Sequence, residues 1–316
     1  MKDSIDFEAP IREILREIEE HTSFSGRDNS RDLDRLQQKL RKTREEVYGR
    51  LSRWQKALVA RHPLRPNTLE YVDMIFEDFV EVHGDRRFAD DPAIIGGFAR
   101  FNGRPVAVVG HQKGRSTKEN IRRNFGMACP EGYRKALRIM RMAEKFGRPI
   151  FTFIDTPGAY PGIGAEERGQ AEAIAFNLRE MAELTVPIIV TVTGEGGSGG
   201  ALGLGVGDVV NILEFAIYSV ISPEGCAAIL WADQTRTQEA AEALRFTSPD
   251  LKRLGLVDTV IPEPPGAAHA DPSLMGATLR HQLGEDLLSL DGLPADDLVK
   301  RRYDKFRRMG AFLDVN

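Results

Sequence analysis

Apolar residues near the start of the chain recur at helical spacing. Phe7, Ile11, Ile14 and Ile18 keep one stripe, and a polar loop follows around Gly26 to Ser30. Leu33, Leu36, Leu40, Val47, Leu51, Trp54 and Leu58 then fall three, four or seven residues apart. This predicts a helix hairpin whose seam packs on a partner or on the main body of the protein. Pro63 and Pro66 close it. The pattern leaves open whether the arm only covers the core or takes part in assembly.

From about Thr68 the period changes. Phe98 to Val109 holds two β-like runs around Asn102-Gly103, a two-residue hairpin signal. Helical spacing covers Gly132 to Phe146 and Gly169 to Leu184, and strand-like runs cover Ile150 to Ile154 and Ile188 to Thr193. A glycine-dense turn and a small-residue helix follow Thr193. Further runs span Val209 to Leu213, Ile217 to Ile221 and Leu256 to Ile261. Ser222-Pro223 and Ser248-Pro249 read as helix starts, with serine as the cap and proline first in the helix. Strand and helix alternate, so the fold class is α/β. Pro262 to Pro272 reads as a linker, and a helical tail follows.

With 316 residues, 41% hydrophobic and 28% charged, the chain can bury a core of ordinary size. A net charge of -4 argues against a nucleic-acid binder. No secretory signal and no membrane-length apolar run is visible. The two cysteines, Cys129 and Cys226, lie far apart and read as free thiols in the cytoplasm. One segment departs from the acidic balance. Between Gly110 and Arg148 eleven bases face three acids. Arg138 to Arg148 reads as a solvated helix face, whereas Lys113 to Arg123, in a loop after a strand, suits a polyanionic ligand or an acidic partner.

Residues Gly194 to Asp208, GEGGSGGALGLGVGD, carry overlapping motifs. Gly194, Gly196 and Gly199 satisfy a dinucleotide-binding pattern, with Glu214 placed as its ribose acid. Gly196 to Gly200 also satisfies G-x-S-x-G, which would make Ser198 a nucleophile, with His269 or His281 as its base. A third reading needs no side chain: paired glycines at a helix start let backbone N–H groups stabilise a developing oxyanion, each donor worth roughly 3–4 kcal/mol. Asp155-Thr-Pro-Gly158 looks like a GTPase D-x-x-G element, but no phosphate-binding loop precedes it.

Longer motifs decide among these. Phe79 to Arg86 (FVEVHGDR), Ile154 to Gly162 (IDTPGAYPG), Gly164 to Gln170 (GAEERGQ), Gly194 to Leu202 and Ser219 to Cys226 (SVISPEGC) closely resemble the bacterial acetyl-CoA carboxylase carboxyltransferase α-subunit family, along essentially the whole chain. The resemblance implies a crotonase-like (ClpP/crotonase) spiral of β-β-α units spanning residues 67–265. A helical arm would occupy residues 1–66, and a linker with a helical tail residues 266–316. It implies an α2β2 heterotetramer working with biotin carboxylase and a biotin carboxyl carrier protein. The α chain would receive carboxybiotin, and the β chain would hold acetyl-CoA and carry a zinc ribbon. The two scattered cysteines here cannot build such a ribbon, so no metal is expected in this chain. Gly199 and Gly200 are expected to supply the oxyanion hole. Gly158, Ala159, Tyr160, Gly162, Gly196 and Gly197 are expected to line the carboxybiotin pocket. Lys113, Arg115, Lys118 and Arg123 are expected to meet CoA phosphates or the partner. The alternatives are a serine hydrolase of similar fold using Ser198 and a dinucleotide- or phosphate-binding module.

Overall fold

The computed structural model describes residues 6–23 and 30–310. The loop expected around Gly26 lies outside the described residues. The arm comprises α1 (Ala9–Ser23), α2 (Ser30–Tyr48) and α3 (Arg53–Ala60). The stripe from Leu33 to Leu58 is broken at Ser52, whose side chain accepts from Gln55 N–H while the Gln55 side chain accepts from Ser52 N–H. That reciprocal cap starts a separate helix there. Ile11, Ile14 and Leu40 pack with Tyr48, Val59, Phe215 and Ala267, so the arm seam is seated on the protein's own body.

After α4 (Thr68–Ile75), β1 (Glu77–Glu81), β2 (Ile94–Phe101) and β3 (Arg104–His111) form an antiparallel meander. Asn102 and Gly103 both have positive φ, as the two-residue turn requires. The chain continues through α5 (Thr117–Arg122), α6 (Pro130–Lys145), β4 (Ile150–Thr156), α7 (Ile163–Glu167), α8 (Gln170–Glu183), β5 (Ile188–Gly197), α9 (Ser198–Leu202), β6 (Val209–Leu213) and β7 (Ile217–Ser219). It ends with α10 (Pro223–Trp231), α11 (Thr237–Leu244), α12 (Ser248–Arg253), β8 (Thr259–Ile261), α13 (Pro272–Leu290) and α14 (Ala295–Arg307). The sheet runs β1-β2-β3-β4-β5-β6-β8, parallel from β3 onward, with β7 paired to the far end of β5. Ile150, Phe151, Phe153, Ile188, Val190 and Ile212 are fully buried, because helices cover both faces of these parallel strands.

Three expectations change. Gly194 to Gly197 is strand, because Thr156 pairs with Gly196 on one side and Ile217 to Ser219 pair with Glu195 to Gly197 on the other. The cap of α12 is Thr247 and not Ser248, one residue earlier than the Ser-Pro pattern suggests. Pro262 to Pro272 is no loose linker: Ala267 and Ala268 are fully buried, and Glu263 accepts from both Ala268 N–H and Arg65. The tail is core as well. Met275, Leu279 and Leu283 of α13 are fully buried. Arg302 of α14, 1% exposed, forms a bidentate pair with Asp208 and donates to the carbonyls of Met181, Leu184 and Val186.

Candidate active site

The site forms where the carboxyl ends of β4 and β5 meet, the usual place for a ligand crevice in a parallel sheet. β4 ends at Thr156 and leads into Pro157 to Gly162; β5 ends at Gly197 and leads straight into α9. Backbone packs directly on backbone between the two segments. A Cβ on Gly197 would lie 2.9 Å from Gly158 N, and one on Gly200 would lie 2.6 Å from Ala159 N. Both are closer than real Cβ atoms come, so glycine is required at 197 and 200 for this approach. Around Gly158 itself a Cβ meets open space. The closeness is therefore enforced by Gly197 of β5 and Gly200 of α9 and not, as the motif suggests, by Gly158. Gly199 differs from Gly200 too: its Cβ would meet only Ile174, at 3.6 Å.

Ser198 opens α9 with φ +48°, a left-handed conformation uncommon for a serine, and no side chain caps the helix. The N–H groups of its first turn thus have neither an intrahelical nor a side-chain acceptor. Of the residues expected to line the pocket, Gly197 packs on Gly158, while Gly196 and Gly162 each face a tyrosine ring. A Cβ on Gly196 would press on the Tyr218 ring and one on Gly162 on the Tyr160 ring, while Tyr160 N–H donates to Ala128 O. Gln170 Nε2 bridges the carbonyls of Ala128 and Tyr160 and ties the β4 loop to α8.

Beneath the two segments lies an ion network that no motif in the sequence reveals. Lys113 Nζ stands 2.7 Å from Asp155 Oδ1 and 3.0 Å from Glu195 Oε2. Arg61 Nε pairs with Glu195 Oε1 at 2.6 Å and its Nη1 with Glu224 Oε1 at 2.5 Å. Burial raises the Glu195 carboxyl, but the charges of Lys113 and Arg61 outweigh this and hold it below the usual carboxylate range. Arg65, buried alongside, donates to Thr193 O and to both oxygens of Glu263. His111 is fully buried at the end of β3, with its ring against the backbone of Phe153 and Gly200. Burial and the nearby Lys113 charge bring it down to about 3, so it is neutral.

The expected phosphate contacts are mostly engaged elsewhere. Lys113 is a largely buried member of the network, and Arg115 pairs with Glu70 and donates to Pro63 O. Arg123 donates to Pro92 O. Lys118 is exposed on α5. On α6 the solvated-face reading of Arg138 to Arg148 fits Arg141 and Lys145, which are exposed, but not the start of the run. Lys135, fully buried, reaches Asp90 and Asp91 O, and Arg138 donates to the carbonyls of His83 and Gly84. These contacts pin the segment that carries the FVEVHGDR motif.

A serine triad is not assembled. His269 stacks on His62 of the arm with ring centroids 3.7 Å apart, and His281 lines a cavity with Asn102 at the hairpin tip. Glu214, the candidate ribose acid, accepts from Glu263 N–H. Glu8, His62 and His269 bring three possible metal-ligating atoms within 4.8 Å of one another. A metal ion binds in the plane of an imidazole ring, and two rings stacked face to face cannot both offer that plane to one ion. As arranged, the trio holds the arm to the loop after β8.

Known proteins bear on this geometry. Residues 4–310 match the family described as acetyl co-enzyme A carboxylase carboxyltransferase-like. Acetyl-coenzyme A carboxylase carboxyl transferase subunit alpha of Geobacter metallireducens is 58% identical over 313 residues, 98% of both chains. The protein of the same name from Bordetella pertussis is 59% identical over 314 residues, again 98% of both. Among solved structures, transcarboxylase 12S is similar with a TM-score of 0.57 at 23% identity, covering 70% of this chain and 40% of that one. The Pseudomonas malonate decarboxylase MdcD-MdcE heterodimer gives 0.54 at 20% identity, covering 69% and 89%. These structures share the crotonase-like fold. The chain belongs to the family of acetyl-coenzyme A carboxylase carboxyltransferase α subunits.

Proposed function

We propose that the chain, together with a β subunit, transfers the carboxyl group of carboxybiotin to acetyl-CoA, giving malonyl-CoA for fatty acid synthesis. The observation that carries the site assignment is the uncapped first turn of α9, set backbone to backbone against Gly158-Ala159. That cradle has no room for a Cβ at Gly200 and no side chain of its own that could neutralise an incoming oxygen. A ureido ring fits it chemically, being planar, with a carbonyl oxygen that takes hydrogen bonds. Biotin bound there supplies the carboxyl group and, once that group has left, a ring nitrogen able to accept the methyl proton of acetyl-CoA.

In this reading the N–H groups of Gly199 and Gly200 donate to the ureido oxygen and strengthen as charge collects on it. Gly158 to Gly162 and Gly196-Gly197 form the walls, with Tyr160 held by its N–H bond to Ala128 O. The acetyl enolate is stabilised by an equivalent hole in the β partner, so this chain supplies no general base. The biotin arrives on a carrier protein charged by biotin carboxylase, in the cytoplasm. No helix among the described residues is long and apolar enough to cross a membrane, which is compatible with that setting. Lys118 is the basic residue best placed for CoA phosphates or the partner surface.

The reading is tested by combining the chain with a matching β subunit and following malonyl-CoA formed from carboxybiotin and acetyl-CoA. Activity is expected only in the mixture. Full activity of the isolated chain would refute the shared site.

A further inference from the structure

Asp155 Oδ1 accepts from two sides, from Lys113 Nζ at 2.7 Å and from Glu195 N–H at 2.9 Å. Its carboxyl carbon lies 2.7 Å from where a Cβ on Gly194 would be, so the carboxylate is wedged against the backbone of the next strand. The β4–β5 ladder slips at this point: Ile154 pairs with Val192, but Thr156 pairs with Gly196. Two steps along β4 thus match four along β5, and the extra length is folded around Asp155. Three residues beyond Asp155 is Gly158, and three beyond Glu195 is Ser198. The two carboxylates thus stand just before the two walls of the site, and one ammonium reaches both.

We infer that Lys113 is a positioning residue, clamping Asp155 at the end of β4 to Glu195 on β5 so that the Pro157–Gly162 segment and the α9 turn stay in register. This rests on the oxyanion reading of α9. Lys113 itself touches no reacting atom in that reading, being spent on the two carboxylates. Other charged or titratable groups around the clamp are Arg61, Glu224, Arg65 with its partner Glu263, Tyr71 of α4 and the neutral His111. Without Lys113, Arg61 is left facing Glu195 and Glu224, and Asp155 loses its cation. Two carboxylates held at one site with too little positive charge repel, and one of them takes up a proton more readily than usual. The strand ends then part, and a donor displaced by about 1 Å loses on the order of 100-fold in rate.

The test uses the complex with the β subunit and follows malonyl-CoA. Lys113→Met is expected to lower kcat on the order of 100-fold, with KM for acetyl-CoA changed less than about threefold. The ratio of variant to wild-type kcat should rise as pH falls from about 8 to about 6, because protonating either carboxylate removes the repulsion. Glu195→Gln added to Lys113→Met should restore at least about tenfold by the same logic. A kcat within twofold of wild type would overturn the inference. So would a loss that is the same at every pH and is not relieved by Glu195→Gln, since that is ordinary structural damage. If Lys113→Met does not fold, Glu195→Gln alone decides: it should lower kcat without moving KM, and an unchanged kcat overturns the proposal. Gly200→Ala, run in parallel, separates the two readings. If Gly200→Ala is fully active, the oxyanion reading fails. If Gly200→Ala is inactive while Lys113→Met is active, only the positioning role fails.

Discussion

A Cβ on Gly200 would stand 2.6 Å from the backbone nitrogen of Ala159, while one on the neighbouring Gly199 would meet nothing closer than Ile174 at 3.6 Å. The two glycines at the start of α9 therefore do different jobs. The first leaves room on the open side of the turn, and the second lets two backbone segments touch.

Alanine at the two positions should separate those jobs. Gly200→Ala is expected to lower both the melting temperature and kcat, the latter by roughly 100- to 1000-fold as donor geometry is lost. Gly199→Ala should melt like the wild type and show its effect only in carboxyl transfer. Paired thermal melts and malonyl-CoA assays of the β-subunit complexes check this. A Gly199→Ala protein that is as destabilised as Gly200→Ala would contradict it.

Ser198 should be dispensable as a nucleophile. Neither His269 nor His281 is placed as its base: the first is stacked on His62, and the second is exposed on α13, lining a cavity with Asn102 at the hairpin tip. Ser198→Ala is expected to keep kcat within about threefold, since it removes none of the backbone donors. A fluorophosphonate probe should leave the wild-type serine unlabelled.

Acid should weaken the hold on the arm. Burial, with the neighbouring His269 adding to it, lowers His62 to about 4. Between its ordinary value near 6.5 and about 4 the unfolded chain binds a proton that the folded chain refuses, so stability rises with pH across that window and is lost as pH falls through it. His111, lowered to about 3, adds a second group of the same sign. Urea midpoints measured from pH 7 to pH 4 should fall, and the fall should be shallower in His62→Asn. Parallel curves for the two proteins would rule His62 out.

Removing the buried guanidinium of α14 should be costly. Arg302→Met leaves Asp208 buried without its partner, which typically costs about 3–5 kcal/mol. Asp208→Asn added to it should recover part of that loss, because the uncompensated charge is gone. Urea unfolding of the single and double variants checks this, and additive losses would contradict it.

Much of the framework can be read from local pattern. The Asn102-Gly103 hairpin, the strands at 150 and 188 and the helices at 132 and 169 all follow from spacing and turn chemistry that a short window contains. The failures share a cause. Gly194 to Gly197 reads as a turn because glycine is scarce in strands, yet here it is wanted for what it lacks: Asp155 and Pro157 occupy the space its side chains would need. Lys113 reads as a free cation because its two carboxylates lie 42 and 82 residues further on. A window that shows charge cannot show the partner. Pro262 to Pro272 reads as a linker for the same reason, since Arg65, which fastens Glu263, comes 198 residues earlier.

Arg302 also orders the life of the chain in time. The carbonyls it satisfies, at Met181, Leu184 and Val186, lie in the last turn of α8 and the loop into β5, and Asp208 opens the way into β6. During synthesis all four acceptors emerge roughly a hundred residues before the guanidinium that neutralises them. Until α14 has left the ribosome, only water can satisfy these acceptors in place of Arg302. A chain truncated before residue 302 leaves these four acceptors without the one donor they share.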